Sequence, residues 1–311
     1  MDLTKTLHHE LHEHFPQLVE FHSTKNLESS QLYQELKPQI DSVIYGHELV
    51  NTMPPPLPQP YYRSVAWNVE RGIHLDSINT ILKTHPVLKE ADVLLITETD
   101  IGMARSGNRN IAKEMAKALG MNYFFAPSYL NLAKGSGQEH EFEGDNALGI
   151  HGNAILSRYP IEDPELVVLK NSHDKMKGRE KRIGSQRTLV ASIGFPQKKV
   201  RVVCAHLDAR SRQSHRASQM QSIVQTLNQY KGEPVIIGGD WNTSTYDSSR
   251  VLRAFASFCV KVAHGIDNVV YNHYLYPNRK FEKKLFQSLE KNGFDYENAN
   301  QEGVGTLAYN V

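Results

Sequence analysis

Cysteine is nearly absent: Cys204 and Cys259 are the two in 311 residues. Both lie in apolar surroundings, VRVVCAHL and FASFCVKVA, without CxxC spacing. That excludes a disulfide scaffold or a thiolate metal cage and predicts two buried free thiols. Excess charge of one sign is also missing. With 35 basic and 34 acidic residues the formal charge is +1, so no global field draws the chain to nucleic acid, and any polyanion preference has to be local. Long apolar runs are lacking too. The opening MDLTKTLHHELHEHF has neither the basic start nor the continuous apolar stretch of a secretory signal, and no segment approaches a membrane span. The expectation is a cytoplasmic protein with no transmembrane segment.

What is present is an ordinary globular composition, 40% hydrophobic and 22% charged, without internal repeats. Residues 1–52 read as a helical N-terminal extension. Leu3, Leu7, Leu11 and Phe15 recur every four, and Leu32, Leu36, Ile40 and Val43 follow a Ser30 cap. Residues 53–60, MPPPLPQP, form a Pro-rich connector, since prolines cannot continue a helix and favour an extended chain. Partner docking through the helices or the connector is one use for this part. From Tyr61 to Val311 short β-branched runs alternate with amphipathic stretches. Strands are predicted at Ser64 to Val69, Ala91 to Thr97, Asn122 to Ala126, Asn153 to Ser157, Arg187 to Ile193, Val200 to Ala205 and Pro234 to Gly238. Helices are predicted at Leu75 to Lys83, Asn110 to Leu119, Ser214 to Tyr230, Ser248 to Phe258 and Phe281 to Asn292. The strands around Arg187 and Val200 read as a hairpin, which disfavours a purely doubly wound sheet. The Gly-rich stretch Lys134 to Asp145 reads as a surface loop.

Four predicted strands end on residues able to bind metal or phosphate: Asn68, Glu98, His206, and Asp240 with Asn242. One such residue alone is more often a solvated or structural group. Together they imply a shared edge where rigid elements hold reacting groups in place. Phosphoester hydrolysis needs such a set, because the substrate's negative charge repels a nucleophile and its alkoxide leaves poorly. A hard divalent cation answers both problems. It prefers carboxylate and amide oxygens, so Glu98 and Asn68 suit Mg²⁺ or Mn²⁺ better than Zn²⁺.

The segments WNVERG, ITETD, GNAILSR, CAHLDAR and GDWN, in that order from Ala66 to Asn242, resemble the endonuclease/exonuclease/phosphatase superfamily. That family includes deoxyribonucleases, abasic-site endonucleases, neutral sphingomyelinases and inositol polyphosphate 5-phosphatases. The resemblance implies an α/β (α+β) fold, a four-layered α/β/β/α sandwich of two mixed sheets, over residues 61–311. It implies a divalent-metal-dependent phosphoester hydrolase, phosphodiesterase or nuclease-like, acting by attack of activated water on phosphorus. By the same resemblance Asp240 orients or deprotonates the water, Asn242 holds a phosphoryl oxygen or the nucleophile, and His206 donates to phosphoryl oxygen. Glu98 and Asn68 are the metal ligands, and Trp241 is a packing residue. Asn153, Arg158, Arg71, Arg105 and Arg109 are candidates to bind a phosphate-containing substrate, whether nucleic acid, lipid headgroup or inositol phosphate.

Two basic clusters, Lys170 to Arg187 and Arg210 to Arg216, are candidate phosphate-docking patches or solvated faces. The opening His8-His9-Glu10-Leu11-His12-Glu13-His14 lacks the His-Glu-x-x-His spacing of a metalloprotease helix. Thr97-Glu98 stands where many family members have Gln-Glu, and the family's closing Asp-His pair occurs nowhere in the chain. This predicts a reading frame that continues past Val311 into further strands. It also keeps open a catalytically silent binding or scaffold protein of the same fold, and an interaction module.

Overall fold

The computed structural model describes residues 6–135, 137–230, 232–245 and 251–305. The chain divides into two compact units, residues 1–206 with 232–240, and residues 207–231 with 241–311.

The first unit opens on a 3-10 turn, Leu11–His14, followed by α1 (Phe15–Leu18), α2 (Thr24–Glu28), α3 (Gln31–Ile44) and β1 (Glu48–Val50). Then come β2 (Ser64–Arg71), α4 (Leu75–Thr84), β3 (Val93–Ile101), α5 (Ile111–Leu119), β4 (Asn122–Asn131), β5 (Ile150–Ser157), β6 (Ile161–Val168), β7 (Arg182–Gly184), β8 (Arg187–Gly194), β9 (Lys199–His206) and β10 (Val235–Asp240). One sheet runs β1-β4-β5-β3-β2 with β7 on β4, and the other runs β10-β9-β8-β6. Each has one parallel pair, β2 with β3 and β10 with β9, among antiparallel neighbours. This is the expected α/β sandwich of two mixed sheets, with β8 and β9 in the expected hairpin.

The period of two in the buried strands builds the layers. On β3, Val93 and Leu95 join Phe124, Ile155, Leu189, Val202 and Cys204 in the core between the sheets. Leu94 and Ile96 face the other way, onto Leu75, Ile78 and Leu82 of α4 and Ile111 and Met115 of α5. Each fully buried side chain of this kind contributes about 1.5–3 kcal/mol. The sheets approach closely at Gly238, where a Cβ would lie 2.7 Å from Leu95 Cδ1. Gly238 therefore lets β10 close on β3, and Gly239, where a Cβ would lie 2.1 Å from the Ala205 carbonyl oxygen, lets it close on β9.

The structure differs from the sequence reading where local signals compete with packing. β6 was not predicted because it carries Pro164, and Asp163 adopts φ +49° at a register shift between Glu162 and Glu165. It is an edge strand, the place where proline is tolerated. The N-terminal residues pack into the first unit: Leu11, Phe15, Leu18, Leu27, Ile40 and Val43 are part of its core, and β1 pairs with β4. Ser30 caps α3 as expected, its Oγ accepting from Tyr33 N at 3.1 Å.

The Lys170 to Arg187 segment is not simply a solvated face. Lys181 Nζ donates to the Phe21 carbonyl at 2.9 Å, Arg187 is buried over the Tyr45 ring, and Asp174 accepts from Thr24 N at 3.0 Å. Lys181, Arg187 and Asp174 thus contact the N-terminal residues, whereas Arg182 lies over the Tyr129 ring beside Glu180.

The expected helix through Leu7 and Leu11 is replaced by irregular chain around His9. His9 Nδ1 accepts the Leu11 N–H at 3.0 Å, and Nε2 lies 2.7 Å from the Leu148 carbonyl. Only the neutral Nε2–H tautomer satisfies both contacts. Burial, partly opposed by the Leu148 hydrogen bond, lowers the His9 pKa from 6.5 to about 4. The unfolded chain therefore binds a proton that the folded chain refuses between these values. Stability is full above pH 6.5 and falls as pH drops toward 4, by up to about 3 kcal/mol. Urea melts of the parent and His9→Gln across this range should diverge, and equal pH slopes would remove His9 as the cause.

The second unit holds α6 (Gln213–Leu227), α7 (Val251–His264), α8 (Ile266–Val269), a π turn at Val270–Tyr274, and α9 (Lys283–Lys291). Ile223, Val224 and Leu227 of α6 and Leu285, Phe286 and Leu289 of α9 are buried, and the two helices pack together. The predicted start of a helix at Ser248 lies outside the described residues, as do the last six of the predicted loop from Gly303. Cys204 is buried as expected, and burial raises its thiol pKa, but Cys259 on α7 is exposed. In the Arg210 to Arg216 cluster, Arg216 is fully buried against Glu282 and so is no phosphate-docking side chain. Among the described residues no helix is long and apolar enough to cross a membrane.

Candidate active site

Within the first unit, the ends of β2, β3, β9 and β10 bring together Asn68, Glu98, His206 and Asp240. Asn68 is the hub. Its Oδ1 accepts the Glu70 N–H at 2.9 Å, which fixes the amide so that Nδ2 donates to Glu98 Oε1 at 3.1 Å and Asp240 Oδ2 at 2.9 Å. The oxygen expected to ligate a metal is thus turned to the backbone, and the nitrogen bridges two carboxylates. His206 Nε2 lies 3.8 Å from Glu98 Oε1 and 4.0 Å from Asp240 Oδ2, and Asp240 pairs with His206 in the parallel register.

The backbone is shaped to make this possible. β3 shifts register between Ile96 and Thr99, and β2 between Asn68 and Arg71. A bulge of this kind re-aims a side chain. Glu70, Arg71 and Glu98 take φ of +49°, +65° and +58°, and Asn242 takes +49°. Left-handed conformations cost non-glycine residues on the order of 1–3 kcal/mol each and collect at functional sites. Asn153 supports the Glu98 bulge. Its Oδ1 accepts the Glu98 N–H at 3.3 Å and its Nδ2 donates to the Arg187 carbonyl at 3.0 Å. This buried residue therefore sits behind Glu98 with both ends of its amide engaged.

Burial alone would raise the Glu98 pKa, but the His206 and His151 imidazoles, the Arg71 guanidinium and the Asn68 hydrogen bond together hold it below the usual carboxylate value. Burial pushes His206 the other way, below its ordinary value, against the raising effect of Glu98 and Asp240. Near neutral pH the site thus combines an ionised carboxylate with a neutral imidazole. The carboxylates beside Nε2 favour the proton there, and the buried Nδ1 has no hydrogen-bond partner.

Among the described residues no three His, Cys, Asp or Glu side chains form a ready metal cage. The donor set is two carboxylates with an amide between them. That suits Mg²⁺ or Mn²⁺, hard cations that Mg²⁺-type sites hold by one or two carboxylates while keeping waters and substrate oxygens. It does not suit a structural zinc, which takes four nitrogen or sulfur ligands.

The five candidate substrate-binding side chains separate. Arg71 is at the site, its Nη1 3.4 Å from Glu98 Oε2. Arg105 is buried among carboxylates, bonded to Asp100 through Nε at 2.7 Å and to Glu180 through Nη1 at 2.8 Å. Arg109 ties Asp76 of α4 to Glu114 of α5. Arg158 donates to the Lys89 carbonyl at 2.7 Å beside an apolar cleft lined by Leu82, Leu88 and Leu119. It lies beyond the far end of β5 from Asn153, roughly 16 Å along an extended strand. In the second unit, Asn242 Nδ2 donates to the Leu207 carbonyl at 2.9 Å, and Trp241 packs on Phe286 with ring centroids 6.2 Å apart.

Sequence reasoning missed Asp100, His151 and Glu139. Asp100 and His151 are register partners on β3 and β5, with Nδ1 2.7 Å from Oδ1. The polar run Thr97 to Asp100 inside a buried strand was a usable signal. Glu139 had none, because its partners are distant in sequence.

A family model described as Endonuclease/Exonuclease/phosphatase family matches residues 65–278. The uncharacterized protein YbhP of Escherichia coli strain K12 is 35% identical over 144 residues, 44% of this chain and 49% of YbhP. The chain spans about half the length of the curated relatives it matches. Among solved structures, the human Nocturnin catalytic domain with bound sulfate is 17% identical, with TM-score 0.42 over 66% of this chain and 70% of that one. An endonuclease/exonuclease/phosphatase family protein from Leptotrichia buccalis is 15% identical, with TM-score 0.39 over 65% and 74%.

Proposed function

The chain belongs to the endonuclease/exonuclease/phosphatase family, and we propose that it is a divalent-metal-dependent phosphoester hydrolase in which an activated water attacks phosphorus. The observation that carries this reading is the convergence of Asn68, Glu98, His206 and Asp240 from four strand ends, with Asn68 bridging the two carboxylates. Glu98 and Asp240 would hold Mg²⁺ or Mn²⁺, and the cation supplies neutralisation of phosphoryl charge and stabilisation of the leaving oxygen. Asn68 keeps the carboxylates apart and aimed at one point. Asp240 orients the water and takes its proton. His206, neutral and buried, donates Nε2–H to a phosphoryl oxygen whose charge grows in the transition state.

A small phosphoester fits better than duplex nucleic acid. A duplex is gripped by many lysine and arginine contacts to phosphate. The chain's charge is only +1, and Lys181 and Arg187 of its densest basic segment are engaged with residues of the N-terminal part.

The test is hydrolysis of bis(p-nitrophenyl) phosphate with Mg²⁺, with Mn²⁺ and with chelator. Cation-dependent turnover is expected, and cation binding without turnover would favour a silent binding protein of the same fold. Glu98→Gln keeps volume and loses the anionic ligand, so calorimetric Mn²⁺ affinity should fall by about tenfold or more, the scale of losing one charged partner. Unchanged affinity would remove Glu98 from the metal site.

A further inference from the structure

A line of ion pairs runs from Glu98 back into the first unit, and none of the steps above uses it. Arg71 Nη1 is 3.4 Å from Glu98 Oε2, and Arg71 Nε is 2.7 Å from Glu139 Oε1. The other Glu139 oxygen accepts from Arg105 Nη1 at 3.2 Å. Arg105 is anchored by Asp100 at 2.7 and 3.1 Å and by Glu180 at 2.8 Å. With the Arg105 side chain 1% exposed and that of Arg71 28% exposed, Glu139 links a fixed guanidinium to one that reaches the site. Glu139 is carried on the Gly137–Glu141 turn of the 134–145 loop. The loop is built to admit this carboxylate: Gly135 has φ +142°, and a Cβ there would lie 2.1 Å from Glu139 Oε2.

The linkage solves a problem the site poses. A free arginine beside Glu98 would close on its carboxylate with two parallel hydrogen bonds, the geometry a guanidinium favours. That would neutralise the ligand a cation requires. With Nε drawn to Glu139 at 2.7 Å, the nearest approach of Arg71 to Glu98 is Nη1 at 3.4 Å, and Arg71 makes no bidentate hydrogen bond with the Glu98 carboxylate.

We propose that Glu139 is a positioning residue, holding Arg71 so that its Nη2 meets a phosphoryl oxygen beside Glu98 instead of closing on the Glu98 carboxylate. The inference rests on the phosphoester reading and assigns it a residue on a loop outside the motifs. Arg71 makes the contact, and Glu139 acts through it.

The experiment uses the full chain, bis(p-nitrophenyl) phosphate as substrate and inorganic phosphate as a competing ligand. Glu139→Gln should raise KM and the phosphate inhibition constant by about tenfold, the worth of one charge-assisted contact, with a smaller change in kcat. Gly135→Ala, which displaces the same carboxylate without altering charge, should move both constants the same way. Glu180→Gln also removes an Arg105 ion pair but does not touch Arg71. It should lower Tm and leave KM alone. In the double variant with Arg71→Lys, Glu139→Gln should add little to the loss from Arg71→Lys alone. A KM rise in Glu180→Gln equal to that in Glu139→Gln, or losses that multiply in the double variant, would make Glu139 merely structural and overturn the proposal. A parent chain that neither turns over the diester nor binds phosphate fails differently, overturning the phosphoester reading and this inference with it.

Discussion

Asp240→Asn should lower kcat on bis(p-nitrophenyl) phosphate by about 10²–10⁴-fold, the range for loss of a positioned general base. An amide keeps the shape of the carboxylate and can still present an oxygen to Asn68 Nδ2, which lies 2.9 Å from Asp240 Oδ2. The bridge to Glu98 and the register of β10 on β9 should therefore survive, and Tm should move little. What is lost is the group proposed to take the proton of the water. Asp240 is also offered as a cation-holding carboxylate, so the assay is read at saturating Mn²⁺, where weaker binding is compensated and the remaining deficit belongs to proton transfer. A variant within a few-fold of the parent under those conditions would remove Asp240 from water activation.

The strands carrying these groups were legible because their apolar runs are long enough to be buried on both faces. Val93 to Ile96 and Val200 to Cys204 are apolar on either side of the sheet apart from Arg201, and each run ends on or near a polar side chain. The register shifts were not legible. Nothing in TETD says that Glu98 leaves the period of two, because the bulge is set by what β2 and β5 place on either side of β3. The same limit explains Asn68. A residue type that can ligate a metal through oxygen is here oriented by a hydrogen bond to the Glu70 backbone, a local turn that spacing does not reveal.

Charge was the least readable property. Arg71, Arg105, Arg109 and Arg158 look alike in sequence, yet one reaches the site, one is buried among carboxylates, one ties two helices together and one caps a backbone carbonyl far along β5. The partners that separate them, Glu139, Glu180, Asp76 and the Lys89 carbonyl, lie 33 to 75 positions away in the chain. Pairing at that separation is decided by the fold, and composition counts only its sum. The basic segment from Lys170 shows the same thing, since its Lys181 is held by backbone carbonyls of the N-terminal residues and its Arg182 by Glu180 and the Tyr129 ring.

The largest stability effect is expected at Glu282, in the second unit. Its side chain and that of Arg216 are both fully buried. Glu282 Oε1 accepts from Arg216 Nε at 2.9 Å and from the Ser244 N–H at 3.0 Å, and Arg216 Nη1 also reaches the Ser211 carbonyl at 3.1 Å. The pair joins α6 to the residue that precedes α9. Glu282→Ala leaves the guanidinium in the interior with only neutral acceptors and strips the Ser244 amide of its partner, so the loss should be about 3–5 kcal/mol. Restoring shape without charge should reverse it: Arg216→Met with Glu282→Leu should be close to neutral, because two charges no longer have to leave water. Trp241 packs in this unit on Phe286, so its fluorescence in a Trp67→Phe background follows the right region during urea unfolding. A Glu282→Ala loss below about 1 kcal/mol would match an ordinary exposed pair and would mean that water reaches Arg216. A double variant as unstable as Glu282→Ala would mean that the cavity, and not the unpaired charge, is what the second unit fails to tolerate.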